Sequence, residues 1–307
     1  MTRIGLCFPG QGSQAAGMAQ GLLDEPLAAR LLDVARADGL DLERALDGSD
    51  DELRPTEVAQ PALTLVELVL AAGLPAGLDV VGVAGHSVGE YAALSVAGAY
   101  AAEDVMRLVI QRGREMASMT EGTMAAVLGL DAPVVEGACA EVRDGGEIVV
   151  VANLNAPGQT VISGTAAGVE LAGALARDRG ARRVVGLNVS GAFHSPLMAP
   201  AAVRFAALID ATPRDELRLP VVCNVDGAIV ENAADLPARM AAQLDHPVRW
   251  MDCVAGLVTL GAEWIVEVGP GSVLTALTRR IAPTITAASV SDLAGAAGLS
   301  MSGAARA

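Results

Sequence analysis

The chain has 307 residues, 52 % of them hydrophobic, a formal net charge of −15, and no lysine among its 21 cationic side chains. That length carries a large core in one big domain or two unequal ones. The missing lysine excludes Schiff-base and P-loop chemistry, and the acidity argues against general nucleic-acid binding.

The first residues, MTRIGLCFPG, run directly into a strand-like stretch at 4–8 without the segment order of a signal peptide, so a cytoplasmic protein is expected. No apolar run is long enough to span a bilayer, so no membrane association is expected. The strand leads into FPGQGSQ, residues 8–14, whose glycines permit close backbone approach but lack the spacing of a phosphate loop. A second buried strand at 80–84 ends in Gly85-His86-Ser87-Val88-Gly89, followed by a helix over 88–96. Strand, G-x-S-x-G and helix in that order are the setting of a nucleophile elbow, with the Val88 N–H placed to hold an oxyanion. A glycine-rich turn carrying an idle serine is the alternative. A helix over 103–116 carries Arg112.

Residues 122–193 change rhythm: strand 124–130, helix 133–142, strands 147–153 and 160–164, helix 166–179, strand 182–189. This β-α-β-β-α-β order predicts a small ferredoxin-like subdomain. It is inserted into a large, mostly parallel α/β subdomain formed by residues 1–121 and 194–307, leaving a cleft between them. Strands at 221–224 and 264–268 and a helix at 237–244 continue the large subdomain, and the small-residue tail after Asp292 is expected to fray. Cys7, Cys139, Cys223 and Cys253 lack C-x-x-C spacing and read as buried thiols. The three histidines lack metal-ligand spacing, so no histidine-based metal centre is expected.

A serine nucleophile needs a base. His86 adjoins Ser87 on a turn, where neighbours point apart, and His246 lies in a polar stretch suited to a surface role. His194, in NVSGAFHSPLM, falls where the small subdomain returns to the large one, over the cleft. It is the leading candidate. A second oxyanion donor could come from the loop at 8–14.

Taken in order, FPGQGSQ, AQPAL, GHSVGEYAAL, QRGREM, NLNAPGQTVISG, FHSPLM, PVRW and EVGPGSVLTAL resemble the malonyl-CoA:acyl carrier protein transacylases and the acyltransferase domains of fatty-acid and polyketide synthases. The resemblance covers nearly the whole chain. It implies that Ser87 is acylated, that His194 is general base and then general acid, and that backbone N–H groups of Gln11 and Val88 form the oxyanion hole. Arg112 would hold the malonyl carboxylate with its planar fork. Asn153 and Gln60 would line the pocket. The main-chain carbonyl of Gln243 would accept the second ring N–H of His194. Phe193 would bar an α-methyl branch and so favour malonyl over methylmalonyl. The implied partners are malonyl-CoA and acyl carrier protein, which are substrates, so no cofactor is expected; both are anionic, which turns attention to Arg182, Arg183, Arg279 and Arg280 as a docking patch. Nothing in the sequence suggests an obligate interface, so a monomer is expected. Rival readings are an α/β-hydrolase esterase or thioesterase, a patatin-like Ser–Asp hydrolase, a non-catalytic carrier-binding subunit, and the same transfer serving a polyketide pathway or a malonate decarboxylase.

Overall fold

A computed structural model describes residues 2–299. Chain order is β1 (Arg3–Phe8), α1 (Pro26–Ala37), α2 (Leu42–Leu46), α3 (Thr56–Ala72), β2 (Asp79–Gly85), α4 (Gly89–Val96) and α5 (Ala102–Ala117). There follow β3 (Thr123–Leu128), α6 (Ala132–Asp144), β4 (Val149–Ala156), β5 (Gln159–Gly164), α7 (Ala166–Asp178) and β6 (Arg183–Gly186). The chain continues with α8 (Ala199–Ala211), β7 (Val221–Val222), β8 (Ile229–Val230), α9 (Leu236–Ala242), α10 (Trp250–Thr259), β9 (Trp264–Val268), α11 (Val273–Ile281), β10 (Thr286–Val290) and α12 (Leu293–Gly298).

The larger sheet has the order β10-β9-β1-β2-β7-β8 and is parallel except where β8 turns back on β7. Its central strands are apolar on both faces, save for the buried Glu267 of β9, as a parallel sheet covered by helices requires. The loops at the carboxyl ends of β1, β2 and β7 therefore meet at one edge, where open α/β sheets place their sites. Helix α3 is buried without a break from Ala59 to Leu70, apolar nearly all round, and packs on α5.

The smaller sheet is antiparallel with order β4-β5-β3-β6. With α6 and α7 covering it, this is the ferredoxin-like arrangement the sequence order predicts. Its β4 edge is joined to the large sheet's side of the molecule by backbone: Leu154 N–H donates to the Val248 carbonyl at 2.9 Å, and Val248 N–H to that of Ala152 at 2.8 Å.

Three expectations change. The strand expected over 221–224 pairs only at Val221–Val222, because Asn224 turns its polar groups to the neighbouring turn instead of the ladder. The strand expected over 182–189 is shorter, Arg183–Gly186. The tail does not fray from residue 293: α12 forms there, with Asp292 accepting from the Gly295 N–H and Ala296 buried; the remainder, 300–307, lies outside the described residues.

Candidate active site

Residue Ser87 sits between β2 and α4 with φ +53°, a left-handed conformation that costs a non-glycine residue about 1–3 kcal/mol. The flanking glycines follow from backbone crowding. A Cβ on Gly85 would lie 2.0 Å from the carbonyl carbon of Gly89, and one on Gly89 would lie 2.2 Å from the Phe8 oxygen. No side chain fits in a turn this tight, and that tightness lifts Ser87 to the head of α4.

Residue His194 also has a positive φ, +57°. The hydroxyl of Ser195 donates to the Ala192 carbonyl at 2.6 Å and accepts from the Leu197 N–H, closing the turn around it. The imidazole Nε2 stands 2.8 Å from Ser87 Oγ. Its Nδ1–H points to the Gln243 carbonyl at 2.8 Å and, more weakly, to that of His246 at 3.2 Å. That pairing fixes the tautomer and leaves the Nε2 lone pair facing the serine hydroxyl. Burial, then the Arg112 charge, pushes the His194 pKa down to about 3, so the ring is a neutral base at neutral pH.

Arg112 is fully buried. Its Nη1 donates to Gln60 Oε1 at 2.7 Å, and its Nη2 donates to Gln243 Oε1 at 2.9 Å and to Ser87 Oγ at 3.0 Å. The guanidinium lies 5.4 Å from the centre of the Tyr91 ring. Among the described residues no carboxylate lies within ion-pair distance, and Nε has no partner. Arg112 thus lies inside the protein, as the expected role in holding a carboxylate requires, and not on the surface of its helix. The reason is Gly113: a Cβ there would sit 2.9 Å from Glu57 Cα, so α5 touches α3 and carries Arg112 inward to Gln60.

A cavity of ≈ 110 Å³ joins these groups, lined by Gln11, Gln60, Ser87, Val88, Arg112, Asn153, Phe193 and His194, with Met116, Met124, Leu187 and Val189 as its apolar wall. Its size suits a short acyl group. Among the described residues no hydrogen bond engages the N–H of Gln11 or of Val88. The Gln11 side chain is tied back to Thr56 Oγ1 at 3.1 Å, which steadies the loop. Asn153 reaches the cavity from β4 but makes no hydrogen bond to His194. Gln243 is the one expected residue outside the cavity lining, and it reaches the site through its carbonyl and side chain.

The other histidines point away from the serine. His86 Nε2 pairs with Asn155 Oδ1 at 2.9 Å, and His246 pairs with Asp245 on the surface. Of the four arginines considered for docking, Arg280 hydrogen-bonds Pro157 and Gln159 across the two subdomains, and Arg279 donates to the Ala287 carbonyl. Both therefore have a structural use. Among the described residues no cluster of three or more metal-ligating side chains occurs.

Two buried residues escaped the sequence reading. Asn224, beyond β7, accepts from the Ser87 N–H through Oδ1 at 2.7 Å and donates from Nδ2 to the Gly85 carbonyl at 2.7 Å. Glu90 accepts from the Asn224 N–H at 2.6 Å. Its place in GHSVGE reads as an acid favouring a helix start, and only its apolar neighbours hint at burial.

The site can therefore accept an acyl group on Ser87, take up and return its proton at His194, and pair an anionic group with Arg112. A family model described as "Acyl transferase domain" matches residues 6–298. The malonyl CoA-acyl carrier protein transacylase of Bacillus subtilis is 40 % identical over 302 residues, covering 95 % of this chain and 94 % of that protein. Among solved structures, malonyl-CoA:acyl carrier protein transacylase from Xanthomonas oryzae superposes with a TM-score of 0.90 at 38 % identity, covering 97 % of this chain and 98 % of that one. A malonyl-transacylase structure that includes the acyl-carrier protein of a type II PKS gives a TM-score of 0.89 at 36 % identity, covering 96 % and 98 %. On this match of sequence, fold and site, the chain belongs to the acyl transferase domain family.

Proposed function

We propose that the protein transfers the malonyl group of malonyl-CoA to the phosphopantetheine thiol of acyl carrier protein through a malonyl-serine intermediate. The observation that carries this reading is Arg112, a permanently charged guanidinium buried against the nucleophile with only neutral partners. A buried cation without a counter-ion costs several kcal/mol. A substrate carboxylate that displaces Ser87 Oγ from Nη2 supplies that counter-ion and favours malonyl over acetyl.

In the first half-reaction Ser87 Oγ attacks the thioester carbonyl as its proton passes to His194 Nε2. The oxyanion is held by the N–H groups of Gln11 and Val88. The C–S bond then breaks, and the CoA sulfur takes the proton back from His194. In the second half-reaction the carrier thiol gives its proton to His194 and attacks the ester carbonyl, and Ser87 leaves and is reprotonated. Both halves run through one base, which is ping-pong chemistry. Carbonyl rather than carboxylate support for His194 speaks against an esterase triad. Phe193 on the cavity wall supports exclusion of an α-methyl branch. The enzyme is proposed to be cytoplasmic and monomeric; its buried free cysteines suit a reducing compartment.

Intact-protein mass after brief mixing with malonyl-CoA tests the reading. Wild type gains a malonyl-sized increment that holo-acyl carrier protein discharges, and Ser87→Ala gains none. An adduct that drains to free malonate regardless of carrier protein would make the chain a hydrolase instead.

A further inference from the structure

We infer that Asn224 is a positioning residue for the nucleophile, holding Ser87 in its left-handed turn by bridging the end of β2 to the start of α4. The inference rests on Ser87 being the acylated residue. Strand β7 pairs with β2 as far as Ala84↔Val222 and then stops. Two residues on, the Asn224 carboxamide does what a further strand residue would have done. Nδ2 donates to the Gly85 carbonyl and Oδ1 accepts from the Ser87 N–H, both at 2.7 Å.

A side chain replaces backbone here because the chain of β2 leaves the ladder at Ser87. A carboxamide donates and accepts at once from neighbouring atoms of one planar group, and neither a carboxylate nor a hydroxyl reproduces both bonds in this geometry at neutral pH. Asn224 is itself fixed from two sides. Its N–H donates to Glu90 Oε2 at 2.6 Å, and its carbonyl accepts from the Arg249 N–H at 2.9 Å. It is fully buried and touches neither the cavity nor Arg112, so it acts on the angle of Ser87 and leaves substrate binding to other groups.

Two rates and one constant test this: kcat for malonyl transfer, KM for malonyl-CoA, and the rate at which a fluorophosphonate labels Ser87. In the labelling, Ser87 Oγ bonds phosphorus, fluoride leaves, and the proton passes to His194, with no acyl substrate involved. For Asn224→Ala the expected result is a fall of about 100-fold in kcat and in labelling, as a misaimed nucleophile gives, with KM unchanged. Asn224→Asp keeps the volume and the acceptor but loses the Nδ2 donor; it is expected to show a smaller fall with the same split, and it serves if the alanine variant fails to fold. Rates equal to wild type in either folded variant, or a KM that rises as kcat falls, would overturn the inference. If wild type takes no malonyl group while labelling still drops in the variants, the proposed substrate is wrong and the role of Asn224 stands.

Discussion

The Nδ1–H of His194 meets the main-chain carbonyl of Gln243 at 2.8 Å, while the side chain of the same glutamine holds Ser87 and Arg112. One residue thus touches base, nucleophile and cation. Gln243→Ala keeps the carbonyl and deletes the side-chain bonds, one of them charge-assisted and worth about 1.5–3 kcal/mol. The expected outcome is a drop of about 10–100-fold in kcat/KM for malonyl-CoA, with the pH profile of acylation unchanged. Steady-state kinetics across pH check it. A profile shifted by several units would mean that the side chain, not the carbonyl, sets the state of His194.

Arg112→Ala is expected to cost malonyl-CoA at least about 30-fold in kcat/KM, from loss of a buried charge pair of about 2–5 kcal/mol. Acetyl-CoA has no carboxylate, so its kcat/KM should fall far less. Arg112→Lys should recover only part of the loss, because an ammonium cannot reach Gln60, Gln243 and a carboxylate with one planar fork. Parallel assays with the two donors measure the ratio. Equal losses for both would remove Arg112 from carboxylate recognition.

Two buried groups give stability opposite dependences on pH. His194 is held down to about 3, so it favours the fold above the ordinary imidazole range, and that contribution is lost as pH falls toward 3. Glu90 is raised from 4.5 to about 8, chiefly by burial. It favours the fold fully below 4.5, and its contribution is lost as pH rises through about 8. Glu90→Gln stays neutral and still accepts from the Asn224 N–H. Its melting temperature should therefore improve relative to wild type as pH is raised from 4.5 to 8. Thermal melts of both proteins across that range decide it, and a constant difference would show that Glu90 does not titrate there.

At the cavity wall, Phe193→Ala removes the ring proposed to exclude a branched acyl group. The ratio of methylmalonyl to malonyl transfer should rise about 10–200-fold, the range that one methylene-sized contact commands. Competition between the two donors, read by the mass of the loaded carrier protein, gives the ratio directly.

Ser87, His194 and the order of the small subdomain's strands are legible in the sequence because each depends on local pattern: a glycine-framed serine after an apolar strand, or a switch of hydrophobic period. Asn224 is not legible, since CNVDG reads as a strand running into a turn, and its bond to Ser87 spans 137 residues. Arg112 is reached through the family resemblance and not from its local pattern, for a related reason. Helix periodicity places it on α5, but only the glycine-sized contact with α3 reveals which side is inside. The two-residue strands β7 and β8 are too short to give an alternating signal, and β10 is half exposed.

The backbone ladder between β4 and Val248 has a consequence for how the molecule ages in sequence. An open sheet edge is an invitation to foreign strands; here part of one edge of the small sheet, around Asn153, is covered by the protein's own main chain. Because main-chain atoms make the seam, substitutions on either surface leave its register alone. The two subdomains that enclose Ser87 are thus tied by a contact that does not depend on which side chains surround it.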